Sequence, residues 1–214
     1  MDGESLTSDP AGPHLPGRRD AVRNYHRVLD AAREVLGESG ADASMEEIAA
    51  RAGVGVGTVY RRFANKDALI DELVRLSLRQ ALDAARRALA CPGGDGLEQF
   101  LRELGELFAA HAKYAHLLLE RSVNGAAASE IRAAVQELTG RALAAGTLNP
   151  GATVGDVMAL VWARRGLTET TDEVAPGTWQ RFLDIHLAGL RAAGPLSSNP
   201  SMSAGQLTEL LPRP

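Results

Sequence analysis

Between Ser44 and Leu69 the chain reads SMEEIAARAGVGVGTVYRRFANKDAL, and this stretch limits the possible fold more than any other. Ser44 with Glu47 forms a capping box, which satisfies open N–H groups at a helix start and places that start at Met45. Met45, Ile48, Ala49 and Ala52 recur with the period of one helical face. Gly53 stands where that periodicity stops, and glycine enters the left-handed conformation that closes a helix at little cost. The pattern predicts a second short helix over 56–63, with Val59 and Phe63 turned inward. Two short helices joined by a tight glycine turn make a helix-turn-helix, whose second helix fits the major groove of DNA.

The charges point the same way. From Ile48 to Lys66 there is no Asp or Glu, whereas Arg51, Arg61, Arg62 and Lys66 all fall in that window. In a chain of net charge −4 this is a local basic footprint suited to phosphate. Thr58 and Tyr60 add hydroxyls that can donate to phosphate oxygens. Asn65 is placed to cap a following helix, whose N-terminus with Lys66 offers a further anion site. Gly53, Gly55 and Gly57 do not read as a nucleotide-phosphate loop, because no strand precedes them and no Gly-Lys-Ser/Thr follows.

Ala52-Gly53-Val54, Gly57-Thr58-Val59-Tyr60, Phe63 and Asn65-Lys66-Asp67-Ala68-Leu69 together resemble the DNA-binding region of the TetR family of bacterial transcriptional regulators. The likeness extends back without a gap through the upstream helix to Val28. It implies an all-α homodimer in which Ser44, Gly57, Thr58, Tyr60 and Lys66 contact the DNA backbone. Base reading is implied around Val56, Arg61 and Arg62. Gly55, where the family more usually has serine, and Val56, where it often has a basic residue, shift the expected base contacts toward Arg61 and Arg62.

Elsewhere the sequence reads as helix. Aromatic residues are 4% of the chain, and no stretch alternates apolar and polar for long. Apolar residues make up 45%, enough for a core, yet no apolar run is long enough to span a membrane. The N-terminus carries no secretory signal, and the single Cys91 excludes an internal disulfide framework, so a cytoplasmic location is expected. Residues 1–17, with three prolines, read as a disordered arm. The pattern predicts a first helix over 20–38. A long helix from Lys66 to about Leu89 follows, with Leu69, Leu73, Leu76, Leu82 and Leu89 as its buried stripe. Further helices are expected over 95–112, over 114–121, from a Ser129 cap to beyond Leu143, around Val154–Trp162 and over 177–193. A polar loop is expected at 168–173. Domain limits are set at 18–66 for DNA binding and 67–193 for ligand binding and dimerisation, with 194–214 a mobile tail.

The resemblance implies that the last two helices pair with a second copy, and that the middle helices house a small-molecule pocket. Phe108, His111, Tyr114, His116, Met158 and Trp162 are its candidate lining, aromatic walls with a few polar groups. His111 and His116 do not share a helical face, and no Cys or Glu-x-x-His stands near them, so no metal and no cofactor is expected. There is no Gly-x-Ser-x-Gly elbow and no His-Glu-x-x-His, so the chain reads as a non-enzyme. The expected function is a homodimeric repressor that binds a palindromic operator in double-stranded DNA and is released by a small-molecule effector. The alternative is a helical ligand- or partner-binding protein with a vestigial helix-turn-helix.

Overall fold

The computed structural model describes residues 18–110, 125–171 and 174–210, and every regular element in them is helical. Helix α1 spans Arg18–Ser39 and leads through a single 3-10 turn to α2, Met45–Ala52. Helix α3 is Val56–Arg62, and α4 is the long Lys66–Ala90. The C-terminal part contains α5 (Gly96–Ala110), α6 (Ala126–Ala144), α7 (Val154–Thr171), α8 (Thr178–Arg191) and the short α9 (Ala204–Leu210). The helix expected over 114–121 lies outside the described residues.

Two apolar cores hold these helices. In the first, Val28, Leu29, Ala32, Val35 and Leu36 of α1 meet Met45, Ile48, Ala49 and Ala52 of α2. Val59, Phe63 and the α4 residues Leu69, Ile70, Leu73 and Val74 complete it. A helix as short as α3 does not persist alone. Burying Val59 and Phe63 contributes roughly 1.5–3 kcal/mol each to holding it.

The second core gathers the far half of α4 with α5 to α8. Here the stripe differs from the expected leucines. Ala81, Ala84, Ala85 and Ala88 are the buried residues, while Leu76, Leu82 and Leu89 are half-buried. Alanine lets neighbouring helices approach closely. A Cβ at Gly96 would lie 2.4 Å from the Ala88 carbonyl oxygen, so only glycine fits where α5 starts. Arg141 of α6 donates to the Leu89 carbonyl at 2.7 Å and so supplies a partner at the end of α4.

Two further expectations are corrected. Ser129 is not a cap: α6 starts at Ala126 behind Gly125, and the Ser129 hydroxyl accepts from Arg132. The polar run from Thr168 stays helical through Thr171 rather than forming a loop. Thr168, Thr170 and Thr171 each donate to the carbonyl one turn back, so their hydroxyls are satisfied without leaving the helix. Beyond α8, Asn149 donates to the carbonyls of Ala192 and Gly194 and anchors the chain there. The Met202 backbone then passes so close to α7 that a Cβ on Gly155 would lie 2.5 Å from its oxygen.

Candidate nucleic-acid interface

The helix-turn-helix is built by local chemistry. The Glu47 N–H donates to the Ser44 hydroxyl oxygen at 3.1 Å, and the Ser44 N–H donates back to the Glu47 carboxylate at 2.9 Å. These bonds hold the Glu47 carboxyl below the usual carboxylate range, the backbone N–H of Ser44 first among them. The Ser44 hydroxyl also donates to that carboxylate, so both Ser44 donors are directed at Glu47. Gly53 takes φ +62 at the end of α2 and its N–H closes on Ala49 and Ala50. Val54 then donates to Ala49, and the chain turns into α3.

Only one face of α3 is anchored, through Val59. Its other faces turn outward: Gly55, Val56, Gly57, Tyr60, Arg61 and Arg62 are exposed, and Thr58 is half-buried. Val56 is 39% exposed and Tyr60 45%, high values for residues with so much apolar surface. A Cβ added to Gly55 or Gly57 would meet nothing within 4 Å, so neither glycine is there for packing within the chain. A backbone free of side chains at the start of a helix is open to close approach by an anion.

Lys66 opens α4, and its ammonium donates to the Ala43 carbonyl at 3.0 Å. That bond ties the N-terminus of α4 to the residue preceding the α2 cap. Asn65 caps α4 by accepting from the Ala68 N–H at 2.8 Å. The starts of α2 and α4 therefore sit side by side.

The basic footprint is smaller than the sequence suggests. Arg51 donates to Glu34 and Glu38 at 3.0 and 2.7 Å, which joins α2 to α1 and raises its own pKa. Arg62 divides its role, because its guanidinium lies 5.0 Å over the Tyr25 ring. That ring stacks on Phe63 with centroids 6.2 Å apart.

Behind it sits a network that sequence reasoning did not find. The Tyr25 hydroxyl donates to Glu72, whose other oxygen accepts from Arg75 Nε at 2.7 Å. The Arg75 bonds hold the Glu72 carboxyl down at about 2. Partial burial, with Glu72 adding to it, pushes the Tyr25 phenol up. An open cleft of about 530 Å³ between α1, α3 and α4 is lined by these groups with Thr58, Arg61 and Arg62. The signal was present as an aromatic and an acid on two amphipathic helices, but only the packing of α1 against α4 brings them together.

In the C-terminal part, Phe108 and Met158 are half-buried and pack on the second core, and Trp162 is half-buried on α7. His111, Tyr114 and His116 lie outside the described residues. Among the described residues no group of three His, Cys, Asp or Glu is placed to hold a metal ion. No described helix is long and apolar enough to cross a membrane.

A three-helix DNA-reading unit joined by one continuous helix to a separate helical bundle defines a class of helix-turn-helix transcriptional regulators. Residues 28–73 match the family model described as bacterial regulatory proteins, tetR family. Residues 92–192 match the C-terminal domain model of SbtR-like transcriptional regulators. A TetR transcriptional regulator of Streptomyces coelicolor is 30% identical over 79% of this chain and 99% of its own, with a TM-score of 0.59. A TetR regulatory protein of Mycobacterium vanbaalenii is 31% identical over 82% of this chain and 99% of its own, with a TM-score of 0.57. An uncharacterised helix-turn-helix regulator of Bacillus subtilis is 39% identical over 30% of this chain, a match spanning only 34% of that relative's length. The chain belongs to the TetR family of bacterial transcriptional regulators.

Proposed function

We propose that this regulator is a homodimeric repressor that binds a two-fold symmetric operator and leaves it when a small molecule occupies the C-terminal bundle. The observation that carries the reading is α3, anchored by Val59 and by Phe63 at its end while Gly55, Val56, Gly57, Tyr60 and Arg61 face outward beside the starts of α2 and α4. Gly57, Thr58, Tyr60 and Lys66 contact phosphates and Gly55 lets the backbone approach, while Ser44, expected to join them, has both donors on Glu47 and serves to fix the start of α2. Val56, Arg61 and Arg62 face base edges, with Arg61 the principal reader because Arg62 is drawn to Tyr25. Dimerisation through α7 and α8 is supported by Ile185, an apolar residue left 55% exposed on the outer side of α8 with the exposed Gly189 one turn on, while Phe182 packs inward on the second core.

Release follows from α4. It belongs to both cores, so a shift of its far end in the bundle moves the recognition unit with it. In a dimer that changes the distance between two α3 helices, which must match half-sites about 34–36 Å apart. The effector does this only if it binds the two arrangements with different affinity. Phe108, Met158 and Trp162 are its proposed described contacts.

Selection of genomic DNA fragments by the purified full-length protein tests the reading. Enrichment of a site with two-fold symmetry is expected. Folded, dimeric protein that enriches no sequence would overturn it and favour a partner-binding helical protein.

A further inference from the structure

Arg164 is the largest fully buried side chain among the described residues, with 1% of its surface exposed. It lies on α7 and reaches between α5 and α8. One terminal nitrogen donates to the Gly105 carbonyl at 3.2 Å and the other to the Leu104 carbonyl at 3.5 Å. The Phe108 ring lies 4.7 Å from the guanidinium carbon and the Trp179 ring 5.6 Å from it. Two neutral carbonyls and two aromatic rings do not cancel a full charge.

No described carboxylate pairs with it. Glu98 and Asp184 engage Arg102, Glu98 also engages Arg191, and Glu103 engages Arg87, all toward the bundle surface. Glu106 of α5 is exposed. Burial accordingly lowers the Arg164 pKa to about 10, with no opposing acid.

A buried cation that no described residue neutralises is a poor way to fill a core, because apolar residues of similar volume do it without the desolvation cost. Its planar fork matches a carboxylate in two parallel bonds, and the carbonyls of Leu104 and Gly105 use only part of its five donors. The walls around it, Leu104, Phe108, Trp179 and Leu160 one turn earlier on α7, are apolar. We propose that the C-terminal bundle binds an organic carboxylate with an apolar body, its carboxylate paired with Arg164 between α5, α7 and α8. The proposal deepens the effector reading above and rests on it for its regulatory meaning.

The probes are octanoate and 4-phenylbutyrate, each against its primary amide, with full-length protein and no DNA. Binding is followed by thermal shift and by emission of the two tryptophans, of which Trp179 borders the guanidinium. The carboxylates are expected to raise the melting temperature and change the emission saturably. The amides should bind at least about tenfold more weakly, the loss of a charge-assisted hydrogen bond. R164M should abolish that preference and, without ligand, melt no lower than the parent.

Equal binding of amide and acid, no binding of either acid, or an unchanged preference in R164M would each overturn the proposal. So would an R164M protein that melts far below the parent, because that exposes an internal counter-ion. A gel-shift on the selected operator separates the two readings. Carboxylate binding at Arg164 without DNA release keeps this site and removes its role as effector. Release by the amides does the reverse.

Discussion

Replacing Gly105 by Ala should destabilise the protein even though alanine is the better helix former. The Cβ would sit 2.2, 2.6 and 2.8 Å from three carbons of the Trp179 ring. Carbon atoms make favourable contact at about 3.5–4.0 Å, so α5 or the ring must retreat by more than ~1 Å. The ring cannot swing aside freely, being buried against the second core with the Arg164 guanidinium beside it. Overpacking of this kind costs about 1–3 kcal/mol. The gain in helix propensity returns only about 0.5–1 kcal/mol. The net loss is roughly 1–2 kcal/mol, which in a chain of this size lowers the melting temperature by about 2–8 °C. Gly140→Ala is the matched control, since a Cβ there meets nothing within 4 Å on the exposed side of α6. It should raise the melting temperature by about 1–4 °C. Both are read by circular dichroism at one fixed protein concentration, because the melting of any dimer depends on concentration. Gly105→Ala melting at or above the parent would refute the close approach of α5 and α8.

Three further outcomes are expected. Tyr60→Ala and Lys66→Ala should weaken binding to specific and non-specific DNA alike, and Lys66→Ala should reduce the salt slope by about one; an unchanged slope removes Lys66 from the phosphate contacts. Arg61→Ala should relax preference at one operator position at a cost of about 1–3 kcal/mol, measured on single-base variants. Arg62→Ala should also lower the melting temperature, because it loses the Tyr25 stack. Glu72 is held near 2 in the folded protein, below its ordinary 4.5, so its contribution to stability is present above about 4.5 and fades as the pH falls toward 2. Glu72→Gln should therefore be less stable than the parent at neutral pH and show a smaller loss over that acid window; parallel pH–stability curves would discount the Tyr25–Glu72–Arg75 network.

What could be read in the sequence was local. The Ser44–Glu47 box, the left-handed Gly53 and the Asn65 cap depend on residues within one turn of each other, and each stands where its spacing placed it. The inward Val59 and Phe63 follow from the same periodicity. The misses depend on neighbours far along the chain. Whether Leu82 or Ala81 faces inward is decided by how closely α5 and α6 press on α4, not by hydrophobicity. Thr168 to Thr171 look like a loop until their hydroxyls find carbonyls one turn back. Arg51 counts toward a basic patch until Glu34 and Glu38 of another helix claim it. Arg164 gave no warning at all, because a charge in an apolar helix is legible only once its burial is known.

Helix α4, with 25 residues, is a rod about 37 Å long that both cores share. Leu69, Ile70, Leu73 and Val74 belong to the first, and the second begins at Ala81. A chimeric regulator made by exchanging C-terminal bundles must therefore be spliced inside this helix, at the exposed Arg79–Gln80, rather than in the loop before it. A graft at the Asn65 turn would import four foreign side chains into the core that supports the recognition helix. Such a graft also leaves the helical phase to the donor, and one residue added or lost in the rod turns the C-terminal bundle by about 100° relative to the helix-turn-helix.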